Sequence, residues 1–189
     1  MLPWGHAALG YLLYSYGLRF RRTGPPSGLA AMCALAVGTQ FPDLVDKPLS
    51  WTFQVLPGGR TLAHTLFVAV PLLLAVGVVT RRIGHRRVGE AFAVGYSSHL
   101  LGDVLWQLSQ GNVRVLAFLV WPLIPVDEPE YSYGIVEFFF QLELTSGVAF
   151  GLVVTGVGLV RWWRDGAPPL SSLGVEIART AGGSSGGRE

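Results

Sequence analysis

Charge is scarce in this sequence: Asp, Glu, Lys and Arg make up 14% of its 189 residues, where a soluble domain carries roughly a quarter. Lysine is almost missing, because 13 of the 14 basic residues are arginine. A net charge of only +2 offers no electrostatic footprint for nucleic acid. The single cysteine, Cys33, lies in an apolar run and reads as helix packing, which excludes an internal disulfide and a cysteine metal cage. There is no GxSxG, HExxH, Walker loop or CxxC, so serine-hydrolase, gluzincin-protease and nucleoside-triphosphatase chemistry lack their residues. The opening stretch MLPWGHAALGYLL lacks the basic region and small-residue cleavage site of a signal peptide. It is expected to be kept as a first helix.

What fills the chain instead is apolar: half of the residues are hydrophobic and the mean hydropathy is +0.44. The expected fold class is therefore all-α, an integral membrane helical bundle of about five transmembrane or membrane-embedded helices. Residues 62–80 and 135–160 are the clearest spans, each close to or above the roughly 20 residues that a bilayer core requires. The second ends at Arg161, Trp162, Trp163 and Arg164, an interfacial anchor by composition. Residues 88–108 are long enough but include Glu90, Ser97, Ser98, His99 and Asp103, which demands that a polar face turn inward. Residues 4–18 and 28–41 are shorter, consistent with tilted or partly interfacial helices. Residues 113–123 are too short to cross and are expected to be re-entrant or to lie across the bundle end.

Nine arginines fall on alternate ends of these spans: Arg19, Arg21, Arg22, then Arg81, Arg82, Arg86, Arg87, then Arg161 and Arg164. The opposite ends hold Lys47, Arg60 and Arg114 together with Asp127, Glu128 and Glu130. The positive-inside rule then sets the N-terminus outside and the C-terminus in the cytoplasm of a multi-pass cell-membrane protein. Residues 1–166 form the expected membrane domain. Residues 167–189, rich in Gly and Ser, form an expected disordered cytoplasmic tail. No internal repeat is visible.

That topology sends the ionisable residues to one place. His6, Asp43, Asp46, Arg60, His64, His99 and Asp103 all fall on the outer side, although their convergence was not used in assigning it. His99 and Asp103 are spaced i, i+4 and share a helix face about 6 Å apart along the axis. They can hold one cation, or the Asp can orient the His, or the pair can merely tie helices together. His64 and His6 read equally as interfacial residues. Asp43 and Asp46, after Pro42, read by themselves as an exit from the membrane with carboxylates in water. As a set, imidazoles and carboxylates suit zinc, manganese, iron or nickel without separating them. Such a metal acidifies water and polarises a phosphoryl or carbonyl oxygen. Arg60 can pair with the anionic oxygens of a substrate or with lipid phosphate. Glu137 and Glu143 can complete a metal shell, act as a general base, or pair with Arg114. His85, in RRIGHRRVG, reads as a solvated loop residue near anionic head groups.

In order along residues 1–125, His6, then Pro42-Asp43-Leu44-Val45-Asp46, then Arg60 to Thr65 (RTLAHT), His99-Leu-Leu-Gly-Asp103 and Trp121-Pro122-Leu123 make a recognisable series. The series resembles the YdjM-like family of membrane-bound metal-dependent hydrolases. That family carries a PDxD-like element, an HRGxTHS-like element, HxxxD and a later WPL. Here the first element is stretched to PDLVD, and Gly59 stands where the family has the His of HRG, with Thr61 for the next Gly. The resemblance implies a divalent metal site, zinc first with manganese second, ligated by His6, Asp43, His64, His99 and Asp103, with Asp46 and Arg60 supporting. It also implies a distant likeness to zinc-dependent phospholipase C and P1-type nucleases, and hence hydrolysis of lipid-linked or small phosphoesters. The loss of the His at Gly59 implies fewer metals, or a site that binds without catalysing.

Two readings of function follow. In the first, the chain is a metal-dependent hydrolase opening at the extracytoplasmic face, with Asp46 or Asp103 as base and Arg60 holding the anion. In the second, it is a non-enzymatic membrane protein, a metal or proton carrier or a structural partner of other membrane proteins. A carrier needs polar residues continuing to the cytoplasmic side, where the spans are almost wholly apolar apart from Glu90.

Overall fold

A computed structural model describes residues 2–111, 113–126 and 144–169. They form five α-helices and no strand: α1 Pro3–Phe20, α2 Leu29–Lys47, α3 Leu66–Arg82, α4 Arg86–Ser109 and α5 Ser146–Arg164. A single π-helical turn, Pro48–Thr52, extends α2, and a 3-10 segment, Val113–Val120, follows α4. Asp127, Glu128, Glu130, Glu137, Glu143, the first part of the span expected over 135–160, and residues 170–189 of the tail lie outside the described residues.

The longest helix, α4, is the hub, packing against α1, α2, α3 and the 3-10 segment, while α5 packs on α1. Small residues set the α2–α4 distance. A Cβ on Gly95 of α4 would stand 2.5 Å from the Leu35 carbonyl oxygen of α2. One on Gly38 would strike the Phe92 carbonyl oxygen in return. Backbone therefore meets backbone at this crossing, as in membrane helix pairs where packing rather than water exclusion drives association. Two clusters flank it. Tyr11, Tyr14, Ala31, Met32, Leu35 and Ala91 join α1, α2 and α4, and Ala69, Tyr96, Leu100 and Phe118 join α3, α4 and the 3-10 segment.

Outward faces are apolar. Phe67, Val70, Leu74, Val78 and Val79 of α3 are exposed, as are Leu152, Val153, Val157 and Val160 of α5. Among the described residues one helix, Ser146–Arg164, is long and apolar enough to cross a membrane by length and composition. The helix α3 is one of the most apolar but has only 17 residues, because residues 62–65 are drawn out of it.

Two boundaries differ from those expected. The second helix does not stop at Phe41 but runs through Pro42 to Lys47, so Asp43 and Asp46 are buried rather than leaving into water. The third helix starts at Leu66 because Asp46 binds the backbone of the preceding turn, and Thr65 caps the new start through Phe67 N. The 3-10 segment lies across α3 and α4, held by Thr65 Oγ1 donating to the Leu119 and Trp121 carbonyls at 3.2 and 2.8 Å.

Candidate metal centre

Four segments bring the singled-out residues together. His6 comes from the first turn of α1 and Asp43 and Asp46 from the last turns of α2. His64 comes from the turn before α3, and His99 and Asp103 from the second half of α4. Gln40 Nε2 donates to the Pro3 carbonyl at 3.0 Å, which fixes the start of α1 beside the end of α2.

Two of the three imidazoles, His64 and His99, are oriented from behind. His99 Nδ1 lies 2.7 Å from the Thr39 carbonyl, which can only accept, so Nδ1 carries the proton and Nε2 a lone pair. His64 Nδ1 lies 2.8 Å from Asp46 Oδ2. Asp46 is fully buried and its oxygens also accept from the backbone N–H groups of Thr61 (2.9 Å), Ala63 (2.8 Å) and His64 (3.3 Å). Accepting from Nδ1–H as well, Asp46 gives His64 the same tautomer as His99. The two Nε2 atoms then face each other at 3.2 Å with a lone pair each. A metal ion set against both atoms, or the proton of an imidazolium, satisfies that contact.

Two carboxylate oxygens close the set. Asp43 Oδ1 is 3.6 Å from both His64 Nε2 and His99 Nε2, and Asp103 Oδ2 is 3.8 and 3.9 Å from them. Ligands bound tetrahedrally at zinc distances lie roughly 3.3–3.6 Å apart, so these separations match a cation shell to within a few tenths of an ångström. Two metal-competent triplets result, His64–His99–Asp103 and His6–Asp43–His99. His6 stacks on His99 with ring centroids 3.9 Å apart and puts Nε2 3.3 Å from Asp103 Oδ1. Its Nδ1 is buried with no hydrogen-bond partner among the described residues. The residues therefore fit a divalent ion: imidazole Nε2 atoms face inward with carboxylates beside them, and His64 and His99 already make their orienting bonds.

All seven singled-out residues are in this assembly. Asp46 stands behind His64 rather than beside the open donors, and Arg60 Nε donates to Asp103 Oδ2 at 2.9 Å. Lys47 was not singled out by sequence, yet its Nζ lies 2.5 Å from Asp43 Oδ2. The signal was its i, i+4 spacing from Asp43, and Thr39 likewise sits four residues before Asp43 on the same helix face. Phe118 packs edge-on against His64, with centroids 6.0 Å apart. His85 is exposed, as a loop residue should be.

A second polar cluster closes the opposite end of the bundle, where sequence showed only arginines. The Asp165 side chain accepts from Tyr11 (2.9 Å), Ser15 (2.5 Å), Arg161 (2.8 Å) and Arg19, tying α1 to the end of α5. Burial pushes the Asp165 carboxyl up, but the hydrogen bonds from Arg161, Ser15 and Tyr11 outweigh it and hold the group below its ordinary value. Glu90 pairs nearby with Arg86 at 2.8 Å and Arg21 at 3.6 Å.

The model of the YdjM inner membrane protein family matches residues 1–173, which takes in every helix and the whole donor set. The chain belongs to the YdjM inner membrane protein family. Comparison with curated proteins and with solved structures finds no match. Membership makes the chain an inner-membrane protein, and the exposed apolar faces of α3 and α5 fit a lipid surrounding. The expected likeness to phospholipase C and P1-type nucleases is matched by no solved structure.

Proposed function

We propose that this chain is a membrane-embedded, metal-dependent hydrolase of phosphoesters. In this reading Asp43, His64, His99 and Asp103 hold one divalent ion, and His6 stands at its edge. The observation that carries it is the pair of Nε2 lone pairs 3.2 Å apart, each fixed by a partner behind its ring. Zinc suits two imidazoles and two carboxylates, and manganese is the second choice. Such an ion, when bound, polarises a phosphoryl oxygen and lowers the pKa of water.

The chain's own residues supply the rest. Asp46 orients His64, since its oxygens are taken up by Nδ1 and three backbone N–H groups. The role of base passes to Asp103, whose Oδ1 lies 3.3 Å from His6 Nε2. Arg60, partly exposed and bound through Nε to Asp103 Oδ2, brings a guanidinium charge to the anion. The site lies at the end of the bundle opposite the arginine cluster, so the positive-inside rule gives it an extracytoplasmic opening and the multi-pass topology expected from the loops.

The test is hydrolysis by the metal-loaded protein in detergent, offered phosphomonoesters and phosphodiesters, lipid-linked and small. Turnover that disappears in His99→Ala is the expected result. No turnover on any of them, combined with ion flux into proteoliposomes that His99→Ala abolishes, would replace the hydrolase by a carrier.

A further inference from the structure

The four donors are nearly sealed. His64 and His99 side chains are 0% exposed, Asp103 3% and Asp43 11%, whereas Lys47 and Arg60 stand at 22% and 31%. Each of these two cations touches one of the two ligand carboxylates: Lys47 Nζ on Asp43 Oδ2 at 2.5 Å, Arg60 Nε on Asp103 Oδ2 at 2.9 Å. Both are more open to solvent than the carboxylates they touch.

Trp51 stands beside Lys47 and Gly59. Lys47 Nζ lies 5.4 Å from the Trp51 ring centre. The same indole occupies the space beside Gly59, where an added Cβ would stand 3.0 Å from Trp51 Nε1, and Gly59 immediately precedes Arg60. Thus Lys47 ends α2, Trp51 lies in the π-helical turn that follows it, and Arg60 lies in the turn before α3. Glycine at 59 leaves room for the indole beside the turn that carries Arg60.

Charge gives these two cations a purpose. Asp43, Asp46 and Asp103 against Lys47 and Arg60 leave the site one negative charge from neutral. A divalent ion reverses that to one positive charge in excess. Once the ion takes up the charge of Asp43, Lys47 no longer has that carboxylate to itself, and its flexible stem can turn its ammonium to another anion while still resting on the indole.

We propose that Lys47 is a substrate-anion-binding residue of this site, acting with Arg60 to grip a phosphate group. The proposal rests on the metal-dependent reading above. It assigns opposite sides of the phosphate to a point charge and to a planar fork, the two donor geometries that lysine and arginine provide.

The probe is inorganic phosphate, titrated calorimetrically into the full-length protein in detergent after zinc repletion, with zinc content measured on the same samples. Wild type is expected to hold zinc and bind phosphate. Lys47→Met is expected to keep its zinc and bind phosphate roughly tenfold more weakly, as loss of one charged hydrogen bond implies, and Lys47→Arg to recover most of that loss. The proposal is overturned if Lys47→Met binds phosphate as wild type does. It is equally overturned if zinc-loaded wild type binds no phosphate, or if Lys47→Met loses its zinc, since Lys47 would then serve the fold. Wild type without zinc would end the metal-dependent reading separately. Phosphate binding to that zinc-free protein then decides for Lys47: weakened in Lys47→Met, it supports the grip, and absent in wild type, it ends it.

Discussion

Asp46 is the residue whose surroundings say most about the centre, because it serves the fold and the site through the same oxygens. It pins the backbone of Thr61, Ala63 and His64 and fixes the tautomer of His64. Asp46→Asn keeps the shape but presents an amide to Nδ1 and removes the charge. Partners of ligating histidines typically govern about 10- to 100-fold in metal affinity, and a loss of that order is expected from competition with a chelator of known strength. Unchanged affinity would leave Asp46 with a purely structural task. At this scale the sequence was partly legible. The i, i+4 spacing of His99 and Asp103 announced a shared face, and six residues of the assembly stood in short motifs. The burial of Asp43 and Asp46 was not legible, because a proline closing an apolar run has the same pattern whether the helix ends or continues. Lys47 and Thr39 escaped because a lone lysine at a helix end and a threonine inside a helix are common without any site nearby.

Helix pairs hold the centre in register. The donors from α2 and α4 keep their spacing only while Gly38 and Gly95 let the two backbones touch. Gly95→Ala sets a methyl against the Leu35 carbonyl, which is backbone and cannot turn aside, so the helices must separate. A loss of about 1–3 kcal/mol is expected, the usual cost of overpacking, and should appear as a lower unfolding midpoint in detergent together with weaker metal retention. The Asp165 cluster makes a separate prediction for α1 and α5. A carboxyl held below its ordinary value of 3.8 contributes stability that is present above that value and lost as pH falls through the lowered one. Wild-type unfolding temperature is therefore expected to drop more steeply below about pH 4 than that of Asp165→Asn, which lacks the titrating group. Parallel curves would show that the cluster adds no pH-dependent stability. Helix existence was readable from apolar runs for all five elements. The start of α3 was not, since Leu62 to Thr65 are as apolar as a helix start allows, and only the long-range bonds from Asp46 pull them into a turn.

Across the whole molecule, polarity is divided between two ends. His, Asp, Lys47 and Arg60 gather at one, while Arg19, Arg21, Arg86, Arg161, Glu90 and Asp165 pair up at the other. The loop arginines made this division visible in the sequence, whereas the Asp165 pairings, across 146 to 154 residues of chain, had no local trace. The proposed orientation puts the C-terminus in the cytoplasm. A fluorescent-protein fusion there should glow and an alkaline-phosphatase fusion should stay inactive, and the reverse pattern would turn the site to the cytoplasm.

The central claim is that the facing imidazoles hold a metal ion, and metal content tests it most directly. Detergent-purified wild type, His64→Ala and His99→Ala would be repleted with zinc or manganese, desalted, and measured by mass spectrometry. One ion per chain in wild type, lost in both variants while all three remain folded, is the result expected. No metal in any of the three, at equal stability, would contradict the account and return these residues to helix packing.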